Sequence, residues 1–159
     1  MAEMDKANTI AELEQGYVEF RDLLVNLPAE AYREVFLGEW NLNKLLAHMA
    51  GWYREMAEAI ERVGRGERPA PEGVDYSDSD SWNARFAQLS KDGPAALDDF
   101  DAAFHEYYGA AKNLDESLYG VDPEKGRPRI GNRLLDSAGI HHFAEHRPQI
   151  EAWLASRSS

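Results

Sequence analysis

Apolar residues recur every three or four positions in four stretches of the chain, and no stretch shows the strict alternation of a half-buried strand. In the first, Ile10, Leu13, Tyr17, Phe20, Leu24 and Leu27 share one helical face. Thr9 followed by Glu12 has the spacing of a capping box, and Pro28 marks the predicted end. The second opens at Asn41, a favourable N-cap, and runs through Leu42, Leu45, Leu46, Met49, Trp52, Tyr53, Met56, Ile60 and Val63 to a stop at Gly64. Residues 64–79 (GRGERPAPEGVDYSDS) are too long and too rich in Gly, Pro, Asp and Ser for a tight turn, which predicts a crossing connection or a lid. A short helical piece over 81–89 continues it.

Asp92-Gly93-Pro94 starts a third long helix, since proline is tolerated in a first turn; its buried stripe is Leu97, Phe100, Phe104, Tyr107, Ala111 and Leu114. After a second loop, VDPEKGRPRIG, a last helix is predicted from about Asn132 to Ser156. The pattern predicts a single all-α domain over residues 1–159. Its expected form is a four-helix bundle with a long connection between helices 2 and 3.

Charge narrows the partners. Seventeen Lys and Arg stand against 29 Asp and Glu, a net charge of -12, with no cluster of basic residues. A phosphate backbone or an anionic membrane needs a basic face to displace counterions, so neither nucleic acid nor a membrane is an expected partner. No apolar run approaches the ~20 residues that span a bilayer, and the opening MAEMDKANTI is too acidic and polar for a signal peptide. The expectation is a cytoplasmic protein. Cysteine is absent, which excludes disulfides, thiolate zinc sites and cysteine nucleophiles; any thiol would come from a bound small molecule.

The candidate chemistry lies in the histidines. On a helical wheel, Leu134, Leu135, Ala138, Gln149, Ile150 and Trp153 define the inward stripe of the last helix, and His142 and His146 fall within about 30° of its centre. His141 falls on a flank and His105 among acidic residues on the outside of the third helix. His48 sits at the edge of the second helix's stripe, facing a neighbouring helix. Two readings are open for His48, His142 and His146: core histidines each satisfied by a hydrogen bond, or three neutral nitrogen ligands converging on one divalent cation.

Residues 40–52, WNLNKLLAHMAGW, and 141–150, HHFAEHRPQI, resemble the DinB/YfiT-like family of metal-binding four-helix bundles. The resemblance implies a metal triad of His48, His142 and His146, relatives that hydrolyse substrates or use low-molecular-weight thiols as cosubstrates, and a homodimer. Imidazole ligands suit zinc, nickel or iron alike. Where relatives often carry glycine this chain has Pro148, predicted to kink the helix just after His146. The connection GERPAPEGVDYSDSDSWN is more loosely similar to the ClbS/DfsB-like branch, which is associated with resistance to a reactive genotoxin and need not retain the triad.

Trp52, one turn from His48, is the candidate pocket wall, or else an ordinary core tryptophan; Gln149 and Arg147 are candidate contacts for a small-molecule substrate. Tyr53 and Tyr107 offer a phenol near the metal or simple packing, and Trp40 packs at the start of the second helix. The leading expectation is a metal-dependent enzyme acting on a small electrophile, as a hydrolase or a thiol S-transferase of the detoxification type. The alternatives are a non-catalytic binding or sequestering bundle of the ClbS-like kind, and a structural homodimer with buried polar histidines.

Overall fold

Four long helical rods carry the four periodic stretches, and their apolar faces meet in one core. The structure is a computed structural model that describes residues 4–158; part of the N-terminal segment read for targeting lies outside them. Helix α1 spans Lys6–Asp22 and begins earlier than its apolar spacing suggests, because the Asp5 carboxylate caps it by accepting the Asn8 N–H at 2.8 Å. Thr9 is therefore not the cap. It is buried, its hydroxyl reaching the Met4 carbonyl (3.2 Å) and accepting from Asn132 (2.8 Å), which ties the first rod to the last. The helix also ends at Asp22, short of Pro28. Leu24 and Leu27 follow in hydrogen-bonded turns, and Leu24 is still fully buried.

A 3₁₀ turn, Ala29–Arg33, leads into a small antiparallel pair, β1 (Val35–Leu37) with β2 (Trp40–Asn41). Strand alternation does not reveal this pair, since three residues against two are too few for a period to register. Gly38, at φ +59°, makes the turn. The hairpin delivers Asn41 as the cap of α2 (Leu42–Gly64), its Oδ1 accepting the Lys44 N–H at 3.0 Å, as the sequence predicts.

The long connection leads to α3 (Ser79–Gln88), which lies across α2, and then to α4 (Pro94–Asn113). Gly93 precedes α4 at φ +60° and donates its N–H to Asn43 at 2.9 Å, pinning that start against α2. The predicted stripe of α4 is buried from Leu97 to Leu114, and α2 and α4 pack along each other more extensively than any other pair. Tyr17 stacks on Phe104 with ring centroids 3.9 Å apart.

The last rod begins with α5 (Ile130–Leu135) and continues through a π turn (Asp136–Ile140) into α6 (His141–Ser158). The His141 N–H bonds to the Asp136 carbonyl five residues back, the mark of one inserted residue. The helix runs on through Pro148 without ending there, and the π turn sets a break in its regularity ahead of His142 and His146. Pro148 and Ala144 are both exposed, where water serves the carbonyl that the proline leaves without a donor.

Helix α3 comes close to α2 over Gly51: a Cβ built there would stand 2.2 Å from the Phe86 ring. Gly→Ala inside a helix ordinarily stabilises by about 1 kcal/mol. Gly51→Ala is expected to do the reverse, by about 1–3 kcal/mol through overpacking, and to loosen α3. Thermal denaturation checks the sign, and proteolysis within 79–88 checks the loosening.

Candidate functional site

His48 projects from α2 and His142 and His146 from α6, and the bundle brings the three rings into one cluster. Ring centroids lie 4.8 Å apart for His48 and His142, 5.6 Å for His48 and His146, and 5.3 Å for His142 and His146. One nitrogen from each lies within 4.8 Å of the others. Tetrahedral zinc with bonds of about 2.0–2.1 Å sets its nitrogens roughly 3.3–3.5 Å apart, so small side-chain rotations draw the set to binding distance.

Outer partners fix the rings. Asn83 of α3 places Oδ1 2.9 Å from Nδ1 of His48 and 2.7 Å from Nε1 of Trp52. An indole nitrogen only donates, so the amide atom facing it must be the oxygen. That oxygen accepts from both neighbours, which makes Nδ1 the protonated nitrogen of His48 and turns its Nε2 into a lone-pair donor. Gln149 does the same for His146, with Oε1 2.7 Å from Nδ1. Nε2 of His146 and Nδ1 of His142 are buried and make no hydrogen bond. The Ala138 carbonyl, one turn earlier, favours a protonated His142 ring without meeting hydrogen-bond geometry.

Burial pushes the His48 ring down to about 4, with the charge on His146 adding to the effect. It pushes His142 to about 3, and the charges of His48 and His146 add again. At neutral pH both rings are neutral, the state a metal ligand requires. An orphaned Nε2, amide-locked partners and neutral donors fit a divalent cation.

The cluster opens into a pocket of about 490 Å³ whose wall includes Trp40, Trp52, Tyr76, Ser137 and Glu145. The match to a family model, described as the DinB superfamily, extends over residues 12–150. The chain belongs to the DinB superfamily. A search of the curated proteins finds none similar in sequence. Among solved structures, an uncharacterised protein of Escherichia coli UTI89 shares the fold with a TM-score of 0.79 at 13% identity, over 97% of this chain and 95% of that one. The colibactin self-resistance protein ClbS, solved in complex with a dsDNA, matches with a TM-score of 0.76 at 12% identity, over 93% and 94%. The mycothiol-dependent maleylpyruvate isomerase matches with a TM-score of 0.69 at 16% identity; this chain spans 91% of its own length but 60% of the isomerase. A DNA complex within the fold runs partly against the expectation of no nucleic-acid partner, which is left resting on this chain's charge and not on the architecture. No described helix is long and apolar enough to cross a membrane.

In this DinB-superfamily chain Trp52 stands in the pocket wall. Gln149 places its Oε1 on the His146 ring, which it orients, and it is not among the residues that line the pocket. Arg147 pairs with Glu19 and Glu151 outside the pocket. Tyr53 and Tyr107 are fully buried core rings, stacked with centroids 5.3 Å apart, and Tyr107 donates to the Leu134 carbonyl at 2.6 Å. His105 and His141 are exposed. Trp40 does pack at the start of α2, and its ring also lies 5.1 Å from that of His48 in the pocket wall.

Asn83 carries no signal in the sequence, because an asparagine on a short polar helix has no pattern to distinguish it. Tyr76 was equally hidden in the connection; its hydroxyl lies 2.9 Å from Glu55 and accepts from Arg62 at 3.1 Å. Glu145 was legible in principle, three residues after His142 and so on its face.

Two measurements follow. Long-range ¹H–¹⁵N spectra of metal-free protein at pH 7 are expected to show His48 with Nδ1 protonated, and Asn83→Leu to release that preference. Well above pH 6.5 the His48 and His142 rings are neutral in both folded and unfolded chains. As pH falls below 6.5 the unfolded rings take up protons that folded His48 and His142 refuse until about 4 and 3, so stability falls. Melting of the metal-free protein from pH 6.5 to 5, above the carboxylate range, should drop by several degrees; in His48→Gln/His142→Gln the drop should shrink.

Proposed function

We propose that this chain is a metal-dependent enzyme acting on a small electrophilic molecule, and that His48, His142 and His146 hold a divalent ion in it. The observation that carries the reading is the buried, unpartnered Nε2 of His146, in a cluster whose other two rings, His48 and His142, are held neutral by burial. An imidazole nitrogen buried without a partner is expensive in an apolar interior, and a cation removes that cost. Bound there, zinc, nickel or iron supplies positive charge that stabilises a developing anion and favours a thiolate or hydroxide over its neutral parent.

The chain's own residues prepare the rest. Asn83 and Gln149 hold two rings with Nδ1 protonated, as outer partners of metal-ligating histidines do. Three neutral ligands leave the full charge of the ion for the substrate. Trp40 and Trp52 keep one side of the site apolar, and Tyr76 brings the connection over it. A transfer reaction needs a thiol from outside, since the chain has no cysteine. The likeness to a mycothiol-dependent isomerase supports a low-molecular-weight thiol as cosubstrate.

The likeness to a self-resistance protein favours a second reading, in which the pocket sequesters a reactive molecule without turnover. One substitution separates them. His142→Ala is expected to abolish turnover under the first, and to leave ligand retention intact under the second if circular dichroism shows the fold preserved.

Protein purified without a histidine tag under metal-replete conditions should carry close to one divalent ion per chain. Each of His48→Ala, His142→Ala and His146→Ala should weaken zinc binding at least 100-fold, and Asn83→Leu by about 10–100-fold with Asn83→Asp milder. Less than a few tenths of an equivalent in the parent protein overturns the metal reading.

A further inference from the structure

We propose that the pocket selects small molecules whose unreacting part is neutral or cationic and carries an apolar face, and that it turns away carboxylates and phosphates. The proposal deepens the enzymatic reading and rests on it for the role of the site, while its charge argument stands on the lining alone.

Proteins hold anions with arginine forks, lysines or uncapped helix N-termini. None is offered here. Among the described residues, no lysine or arginine lines the pocket. The guanidinium of Arg62, behind Tyr76, is committed to the Pro69 carbonyl at 2.8 Å and to the Tyr76 hydroxyl at 3.1 Å. The helix end at the rim is that of α3, where Ser79 is flanked by Asp78 and Asp80, so its dipole already faces two carboxylates.

What the lining does offer is one carboxylate and several rings. Glu145 is exposed in the wall and, among the described residues, makes no hydrogen bond or ion pair. Trp40, Trp52 and Tyr76 supply aromatic surface, which attracts both apolar groups and cations. The hydroxyls of Ser79 and Ser137 serve neutral polar groups equally well. The net charge of -12 adds a field that repels an approaching anion. A cation at the histidines would act on the one atom beside it; the selection described here concerns the remainder of the molecule.

Benzylamine, benzyl alcohol and benzoate share a ring and differ in charge, which makes them the probes. Their binding to full-length, metal-free protein at pH 7.5 and low salt is read by tryptophan fluorescence and saturation-transfer NMR. Benzylamine should bind about tenfold more tightly than benzoate, with benzyl alcohol between. Glu145→Gln should narrow the gap by about threefold, and Glu145→Lys should invert it. Benzoate binding as well as the other two, no binding by any of the three, or a ranking untouched by Glu145→Lys overturns the proposal. Zinc titration of the same preparations keeps the two readings apart. Loss of zinc binding with the ranking intact removes the metal alone, and a failed ranking with zinc binding intact removes the charge selection alone.

Discussion

Imidazole rings inside a bundle must find partners, and most of the architecture around this pocket answers that need. A ring buried with a bare nitrogen loses the hydrogen bond water would have given it. Two of the three rings recover one through amide oxygens, and the Trp52 indole forces the orientation of the first of those amides. The chain Trp52–Asn83–His48 therefore joins an aromatic wall, a helix of the connecting region and a candidate ligand into one hydrogen-bonded unit. Were α3 to lie elsewhere, His48 would lose its fixed tautomer and Trp52 its buried N–H partner.

This dependence gives the long connection a physical role. The segment between α2 and α3 is held to α2 by Arg62, which reaches Pro69 and Tyr76, and by Glu55, which meets the Tyr76 hydroxyl. Tyr76 and Trp82 pack on one another and on Trp52. The region that a composition scan reads as Gly- and Pro-rich linker is thus one wall of the pocket, and it carries Asn83 into contact with His48.

The solved relatives share the architecture at 12–16% identity, which measures how little sequence the scaffold itself demands. Helix length, apolar stripe and a few small residues at close approaches are enough for the rods to pack. Chemistry is added at the pocket by a small number of side chains, so proteins with a common bundle are free to differ in what they bind. Here those side chains are three clustered imidazoles, aromatic walls and one unpaired carboxylate.

The apolar spacing by itself determined the four rods, their buried faces and the inward placement of His142 and His146, because a helix repeats every 3.6 residues and must bury its stripe. The cap at Asn41 was legible for the same local reason. The start of α1 was not, since Asp5 and Thr9 both suit a cap and only the packing of Thr9 against Asn132 decides between them. Tertiary structure alone placed the π turn ahead of the histidines, kept the helix intact through the exposed Pro148, and set the Gln149 amide oxygen against His146. It alone brought Asn83 to His48 across 35 positions of sequence, because a hydrogen bond between distant residues leaves no periodic trace in the chain that makes it.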